Sequence, residues 1–188
     1  MPLHHLPNVL TVTRIVAVVP LVWLMWTGHY WGALAVAMLA GVSDMLDGQL
    51  ARRFGWQSQF GGWADPAADK VLMSASYVTL TLMGVLPVWL TVLVIFRDAI
   101  IAGGALLYRA LFGQFKAQPT LWSKATTLAQ VLLIWLELVI LAGLPVPQAI
   151  NSGGVLIVGG LTVLTLLQYV WLWSHRARQM AQTLKGAS

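Results

Sequence analysis

Long apolar runs restrict the folds that are possible for this chain. A helix that crosses a bilayer needs about 20 mostly apolar residues, and the sequence offers residues 8–27, 30–50, 62–85, 88–111, 121–142 and 152–173. These runs are apolar nearly all round, whereas a helix at the surface of a soluble protein carries a polar stripe. Only 9% of the 188 residues are charged, against about a quarter in soluble domains. We therefore predict an all-α, polytopic membrane protein with six transmembrane helices, forming a single domain over residues 1–188.

The positions of the basic residues predict how these helices are oriented. The turns at residues 27–29, 84–87 and 143–147 contain no Lys or Arg. The other connections, their flanks and the C-terminal segment carry Arg52, Arg53, Arg109, Lys116, Lys124, Arg176, Arg178 and Lys185. By the positive-inside rule, both termini and these connections face the cytoplasm. Because the first residues show no cleavable signal, we expect a multi-pass protein of the bacterial inner membrane, with a trimmed organelle protein as the alternative.

Composition also argues against several classes of function. The sequence contains no Cys, which excludes a disulfide scaffold, a thiolate metal site and a Cys nucleophile within it. The formal net charge of +5 could suggest a nucleic-acid partner. However, the basic residues are scattered between apolar runs and form no basic stripe, so we expect no nucleic acid to bind.

Four of the six acidic residues are gathered at the predicted cytoplasmic ends of the second and third spans. Asp44 and Asp47 are three positions apart, and Asp65 and Asp69 are four apart, so each pair shares one face of its helix. The short connection between the two spans brings the pairs together. Carboxylates without nearby His or Cys suit Mg²⁺ or Mn²⁺ rather than Zn²⁺. The pattern therefore predicts a site for one of these metals, facing the cytoplasm.

Two other interpretations of the aspartates are open. They could simply occupy solvated helix ends, an explanation that serves one aspartate better than two helically spaced pairs. They could also belong to an ion or proton pathway, the usual role of intramembrane carboxylates. Transporters place such groups near the bilayer midplane on broken helices, whereas these lie toward one end. Glu137, alone in the fifth span, would suit a relay or a pairing with a neighbouring helix.

The aspartates belong to a longer pattern of fixed spacing. It reads Asp44-x-x-Asp47-Gly48-x-x-Ala51-Arg52, then eight residues, then Gly61-x-x-x-Asp65-x-x-x-Asp69. This pattern is similar to the complete motif of the CDP-alcohol phosphatidyltransferases, without substitution. The opening Leu6-Pro7-Asn8-x-Leu10-Thr11-x-x-Arg14 resembles the phosphatidylglycerol branch of that family. With the length and the six spans, the resemblance covers nearly the whole chain.

The resemblance implies a reaction and roles for the motif residues. Family members transfer a phosphatidyl or similar group from a CDP-activated lipid to a hydroxyl and release CMP. By resemblance, Asp44, Asp47 and Asp65 bind two Mg²⁺ or Mn²⁺ ions, and Asp69 is the catalytic general base with a share in metal binding. The implied nucleotide-binding residues are Asp44, Gly48, Ala51, Arg52 and Gly61. The resemblance also implies a homodimer.

Cations elsewhere in the spans are candidates for binding the acceptor. They are Arg14, Arg97 and Lys124, each toward the predicted cytoplasmic side of its helix. Snorkelling toward the interface would equally explain Lys124, but Arg97 lies several turns deep, where a charge needs a partner. Asp98 could neutralise Arg97. Lys70, next to Asp69, pairs either with a motif carboxylate or with phosphate.

Two acceptors are compatible with this set of cations. Phosphatidylglycerol would make the chain a CMP-forming cardiolipin synthase, and glycerol 3-phosphate would make it a phosphatidylglycerophosphate synthase. The stretches Arg97-Asp98-x-x-Ile101 and Lys116-Ala117-x-Pro119-Thr120-x-x-Ser123-Lys124-x-x-Thr127-x-x-Gln130 resemble the cardiolipin branch more closely. We therefore predict that CDP-diacylglycerol and phosphatidylglycerol give cardiolipin and CMP. Phosphatidylglycerophosphate synthesis is the alternative, and an ion-coupled or proton-coupled transporter is the alternative of another class.

Overall fold

The fold consists of helices throughout the part that the structure, a computed structural model, describes. That part comprises the backbone of residues 6–54, 61–112 and 120–186, with the side chains of residues 13–43, 69–106 and 120–175. It forms six α-helices: α1 (Leu6–Trp26), α2 (Tyr30–Phe54), α3 (Gly61–Leu82), α4 (Val88–Phe112), α5 (Leu121–Leu141) and α6 (Gln148–Gly186). The prediction of an all-α fold is confirmed.

Helix bounds follow the apolar runs closely except in α6. The first five helices begin and end within a few residues of the predicted spans. Helix α6 instead begins directly after Pro147, and the amide of Ile150 donates to the Pro147 carbonyl at 2.9 Å. It continues to Gly186 because residues 174–185 contain neither Pro nor Gly to stop it. The charges in this segment mark the end of the apolar run, not the end of the helix.

Three tight hairpins join α1 to α2, α3 to α4 and α5 to α6, and all three close in the same way. Each first helix ends at a glycine in the left-handed region, with φ of 76° at Gly28, 77° at Gly84 and 90° at Gly143. The residue after each glycine donates to a carbonyl five positions back, as His29 does to Leu24 at 2.9 Å. This Schellman geometry favours glycine because a Cβ crowds the left-handed backbone. The predicted turns are therefore confirmed as hairpins.

The apolar core fills the half of the bundle next to these hairpins. Helix α1 packs against α2 and α3, α4 packs against α3 and α6, and α5 packs against α2 and α6. The core side chains come from the hairpin ends of the helices, among them Leu21, Met25, Ala33, Leu80, Leu90 and Leu138. The opposite half of the bundle is thereby left for the aspartate motif and for Arg14, Arg97 and Lys124.

Polarity is distributed as in a protein surrounded by lipid. Buried positions include Arg14, Arg97 and Glu137, while many large apolar side chains such as Leu39 and Trp171 are exposed. Three helices are long and apolar enough to cross a membrane among the described residues: Val88–Leu106, Leu121–Leu141 and Gln148–His175. The segments Thr13–Trp26 and Tyr30–Ser43 are shorter apolar helices. The chain is thus a multi-pass membrane protein, and the count of six spans and the orientation of the termini stay predictions.

Candidate functional site

The polar half of the bundle contains the residues that the sequence predicts to be functional. The motif begins near the end of α2 and is completed in α3, and these helices are joined by residues 55–60. Both halves of the motif therefore lie at the same end of the bundle. The surroundings of seven motif residues lie outside the part that the structure describes: Asp44, Asp47, Gly48, Ala51, Arg52, Gly61 and Asp65. Their metal-binding and nucleotide-binding roles stay predictions.

Asp69 on α3 is ion-paired with Arg14 on α1. The Nη1 of Arg14 donates to Oδ1 of Asp69. The Arg14 side chain is 4% exposed and that of Asp69 is 38% exposed, so the carboxylate borders open space while the guanidinium is enclosed. Arg14, predicted to bind the acceptor, is thus placed on the carboxylate predicted to be the base. The predicted acceptor-binding residue and the predicted base therefore belong to the same ion pair.

A second ion-paired chain runs from α3 through α4 to α5. The ammonium of Lys70 lies 2.7 Å from Oδ2 of Asp98, and Nη1 of Arg97 lies 2.7 Å from Oδ1 of the same carboxylate. The Nη2 of Arg97 donates to Oγ of Ser123 at 2.7 Å. Asp98 neutralises Arg97, as the sequence suggested, and it also binds Lys70. Sequence reasoning left the partner of Lys70 open and did not assign Ser123 a role.

The first turn of α5 contains Ser123, the last member of this series of bonded side chains, and Lys124. Thr120 caps the helix, and its side-chain oxygen accepts from the amide of Ser123 at 3.2 Å. A threonine is a favoured residue at this position because it satisfies an amide that the helix leaves unpaired. Ser123 is buried and bonded to Arg97, while Lys124, the next residue, is exposed. The structure therefore brings Arg97 and Ser123 together, and it leaves Lys124 exposed on the first turn of the same helix as Ser123.

These ion pairs form two groups, which are connected by the consecutive residues Asp69 and Lys70 of α3. Arg14 pairs with Asp69, and Asp98 binds both Lys70 and Arg97. We refer to these five side chains as the charged cluster. Arg97 is 2% exposed, and its Nε has no hydrogen-bond partner among the described residues. Phosphate is a common partner of guanidinium groups, and this Nε is an enclosed donor rather than one at the surface.

Metal binding at the adjacent motif fits the donor set. The four carboxylates belong to the connected ends of α2 and α3, and Asp69, the one whose side chain is described, is accessible from outside. Hard carboxylate oxygens on one end of a bundle suit Mg²⁺ or Mn²⁺. Arg14 adds a cation on the α1 side of Asp69. The types of residue at this end of the bundle therefore suit a divalent cation, and the arrangement of the other three carboxylates stays a prediction.

Glu137, the one acid considered for a relay, lies in the other half of the bundle. It is fully buried on α5, and its Oε2 accepts from Nδ2 of Asn151 on α6 at 3.1 Å. Its Oε1 has no partner among the described residues. The pairing with a neighbouring helix matches one of the two interpretations of this residue.

Comparison with known proteins identifies relatives along most of the chain. A sequence model of the CDP-alcohol phosphatidyltransferases matches residues 4–175. The chain is 34% identical to a probable CMP-forming cardiolipin synthase of Drosophila melanogaster, over 71% of this chain and 46% of that protein. It is 32% identical to the CMP-forming cardiolipin synthase of Rattus norvegicus, over 96% of this chain and 64% of that protein. The chain thus spans roughly half to two thirds of the length of these two relatives.

A relative with another acceptor is similar to the same degree. A probable phosphatidylglycerophosphate synthase of Mycobacterium tuberculosis is 34% identical, over 88% of this chain and 80% of that protein. The two kinds of relative differ in the alcohol that receives the phosphatidyl group. Overall similarity therefore identifies the type of reaction and leaves the acceptor to be argued from the residues.

Proposed function

The chain belongs to the CDP-alcohol phosphatidyltransferase family, and on that premise we propose that it is a CMP-forming cardiolipin synthase. It would transfer the phosphatidyl group of CDP-diacylglycerol to a glycerol hydroxyl of phosphatidylglycerol. The observation that carries the proposal is the charged cluster, because it places a buried, partly unbonded Arg97 in the same polar half as Asp69. Both the donor and this acceptor are two-chain lipids, which can enter laterally from the bilayer.

The cations of the site support binding of a phosphate-containing acceptor. Arg97 and Lys124 would bind the phosphodiester of the acceptor, with Arg14 contributing at the junction with Asp69. The cations of the charged cluster, Arg14, Lys70 and Arg97, would attract the negative charge of a phosphodiester. Bonds between a guanidinium and phosphate are charge-assisted and about twice as strong as neutral ones.

Asp69 is proposed as the catalytic residue of a single displacement. It takes the proton from the acceptor hydroxyl as that oxygen attacks the phosphorus that bears diacylglycerol. The bond between this phosphorus and the bridging oxygen of the diphosphate breaks, and CMP leaves with the electron pair. Arg14 holds Oδ1 of Asp69 and thereby fixes the carboxylate to α1. The products are cardiolipin and CMP.

The donor side of the site is proposed from the motif. The family uses a divalent metal, and the ligands would be Asp44, Asp47, Asp65 and Asp69, holding two Mg²⁺ or Mn²⁺ ions. Bound there, the ions supply charge neutralisation for the diphosphate and the leaving CMP. The nucleotide would contact Asp44, Gly48, Ala51, Arg52 and Gly61. The small residues would let it approach the helices closely, and Arg52 would bond its phosphates.

The proposed setting is a bilayer crossed six times by one domain. Charge-free hairpins at one end and basic residues at the other favour cytoplasmic termini and a cytoplasmic active site, in a bacterial inner membrane. Resemblance to the family favours a homodimer. Phosphatidylglycerophosphate synthesis from glycerol 3-phosphate is the second candidate, since a relative of that description matches 88% of the chain.

The proposal is tested by supplying the two acceptors in separate reactions and comparing the products. Purified protein in liposomes with CDP-diacylglycerol and Mg²⁺ or Mn²⁺ receives phosphatidylglycerol or glycerol 3-phosphate, and the lipid products are identified by mass. We expect cardiolipin and CMP with phosphatidylglycerol and little product with glycerol 3-phosphate. Efficient formation of phosphatidylglycerophosphate would overturn the acceptor assignment, and normal turnover in excess EDTA would overturn the metal assignment.

A further inference from the structure

We propose that Asp98 is a positioning residue for the acceptor: its carboxylate holds Arg97 and Lys70 in fixed places beside Asp69. The inference rests on the proposed function, because it assigns a role in acceptor binding. The residue itself contacts neither substrate nor metal in this account. Its effect is exerted through the two cations that it binds.

Each oxygen of the Asp98 carboxylate is used by a different cation. Oδ1 accepts from Nη1 of Arg97, its neighbour on α4, and Oδ2 lies 2.7 Å from the ammonium of Lys70 on α3. The side chain of Asp98 is 11% exposed, so little water competes for these bonds. Charge-assisted bonds in an enclosed site are stronger and better oriented than the same bonds at a surface.

Asp98 also ties α4 to the residue that follows the proposed base. Asp69 and Lys70 are consecutive on α3 and therefore point about 100° apart around the helix axis. Asp69 pairs with Arg14 on α1, and Lys70 pairs with Asp98 on α4, so α3 is held from two sides at the level of the base. Without Asp98, the ion pair of Asp69 with Arg14 on α1 would remain, and the ion pair of Lys70 with α4 would be lost.

The arrangement fixes Arg97 and leaves one of its donors buried without a partner among the described residues. Its Nη1 and Nη2 are bonded to Asp98 and Ser123, which fix the plane of the guanidinium. Its Nε has no partner among the described residues. Lys70, whose side chain is 37% exposed, would by itself sample many rotamers. Asp98 therefore converts one buried cation and one mobile cation into a fixed pair.

A purely structural role for Asp98 would be the neutralisation of charge in a membrane interior. The two roles differ in what they predict for kinetics. Loss of neutralisation alone lowers the amount of folded enzyme and leaves the KM values of the remaining enzyme unchanged. Loss of positioning raises the KM for the acceptor, because the cations that bind it are no longer held in place.

The test compares Asp98→Asn, Asp98→Glu and Lys70→Gln with wild type in liposomes. CMP release is measured against acceptor concentration at saturating CDP-diacylglycerol, and then against donor concentration. We expect Asp98→Asn to raise the acceptor KM by about tenfold or more while the donor KM stays within about threefold. Asp98→Glu should restore part of the affinity, and Lys70→Gln should give a smaller increase because Arg97 keeps its partner.

Glu137→Gln is the matched control, since Glu137 is also a buried acid but lies near the hairpins. It should leave both KM values unchanged. An unchanged acceptor KM in Asp98→Asn, or equal effects of Asp98→Asn and Glu137→Gln, would overturn the inference. If Asp98→Asn does not fold, Lys70→Gln decides, because its partly exposed side chain pairs with the same carboxylate. An unchanged acceptor KM in Lys70→Gln would then overturn the inference.

Failure of the proposed function would be distinguishable from failure of this inference. A wild-type enzyme that uses glycerol 3-phosphate would refute the cardiolipin assignment, and the same variants would then be measured with glycerol 3-phosphate. A rise in the KM for that acceptor would still support Asp98 as a positioning residue. A wild-type enzyme that transfers to neither acceptor would overturn both proposals.

Discussion

Arg14 and Asp69 are 55 positions apart in the chain and are joined by a bond from a guanidinium to a carboxylate. The bond connects the first helix, which begins the family resemblance, to the last aspartate of the motif. It also fixes one oxygen of the proposed base from a side chain that is almost completely enclosed. The first and third helices are thereby linked at the level of the proposed chemistry.

Replacement of Asp69 by Asn should abolish transfer. The amide cannot accept the proton of the acceptor hydroxyl, and general bases typically contribute about 10²–10⁴-fold to a rate. We expect the rate of CMP release to fall by at least about 10²-fold. Binding of CDP-diacylglycerol, measured by thermal shift in detergent, should be retained. A variant that turns over at close to the wild-type rate would exclude the role as base.

Replacement of Arg14 should show whether kcat depends on the positive charge at this position or on the geometry of the guanidinium. Arg14→Gln removes the cation from Asp69, and Arg14→Lys keeps a cation but loses the planar guanidinium. We expect Arg14→Gln to lower kcat by about 10²-fold and Arg14→Lys to lower it less, because the rate depends on the orientation of Asp69. The measurement is single-turnover CMP release, and equal rates for both variants and wild type would contradict the argument.

Chelation should reveal the metal. Excess EDTA is expected to stop CMP release, and addition of Mg²⁺ or Mn²⁺ should restore it, because the diphosphate requires charge neutralisation. Asp65→Asn should reproduce the loss while the protein elutes as a folded species from size-exclusion chromatography. Binding of Mn²⁺ can be followed independently of activity by electron paramagnetic resonance, and wild-type protein that binds no Mn²⁺ would refute the site.

Ser123 should contribute both to stability and to acceptor binding. Ser123→Ala leaves Nη2 of the buried Arg97 without its hydrogen bond, and loss of a partner by a buried polar group costs about 1–3 kcal/mol. We expect a lower Tm and a higher KM for the acceptor. Ser123→Thr keeps the hydroxyl and should resemble wild type in both measurements, unless the bond to Arg97 is unimportant.

Glu137 should be replaceable without loss of activity. Glu137→Gln keeps an oxygen that can accept from Asn151 and removes a carboxylate from the interior, so the Tm should stay unchanged or rise. Glu137→Ala removes the acceptor and leaves a cavity, and each 1 kcal/mol lost should lower the Tm by about 2–4 °C in a chain of this size. Loss of transfer in Glu137→Gln would revive the relay interpretation of this residue.

Local sequence pattern was sufficient for some features of the fold and insufficient for others. Apolar run length and the glycines at positions 28, 84 and 143 predicted the helices and their hairpins, because both depend on nearby residues. The apolar run predicted the membrane span of α6, which the structure gives as Gln148–His175, but not the extension of the helix to Gly186, since a helix continues after its residues cease to be apolar. An apolar run reports the environment of a helix rather than its length.

The candidate site shows the same division. Spacing of the aspartates and the depth of Arg97 are properties of single helices, so they could be read from the sequence. The bonds of Lys70 to Asp98 and of Arg97 to Ser123 depend on how α3, α4 and α5 are rotated against one another. No periodicity within one helix determines that rotation, and only packing between helices defines these partners.

The three glycine-capped hairpins also have a consequence for how the chain enters a membrane. In the proposed orientation, each hairpin turn must be carried across the bilayer during biosynthesis. Residues 27–29, 84–87 and 143–147 contain no Asp, Glu, Lys or Arg, and an ionised side chain at the bilayer centre costs about 2.5–3.5 kcal/mol on translocon insertion scales. Each pair of helices can therefore be inserted as a closed unit, while the charged ends that build the site remain on the side of synthesis.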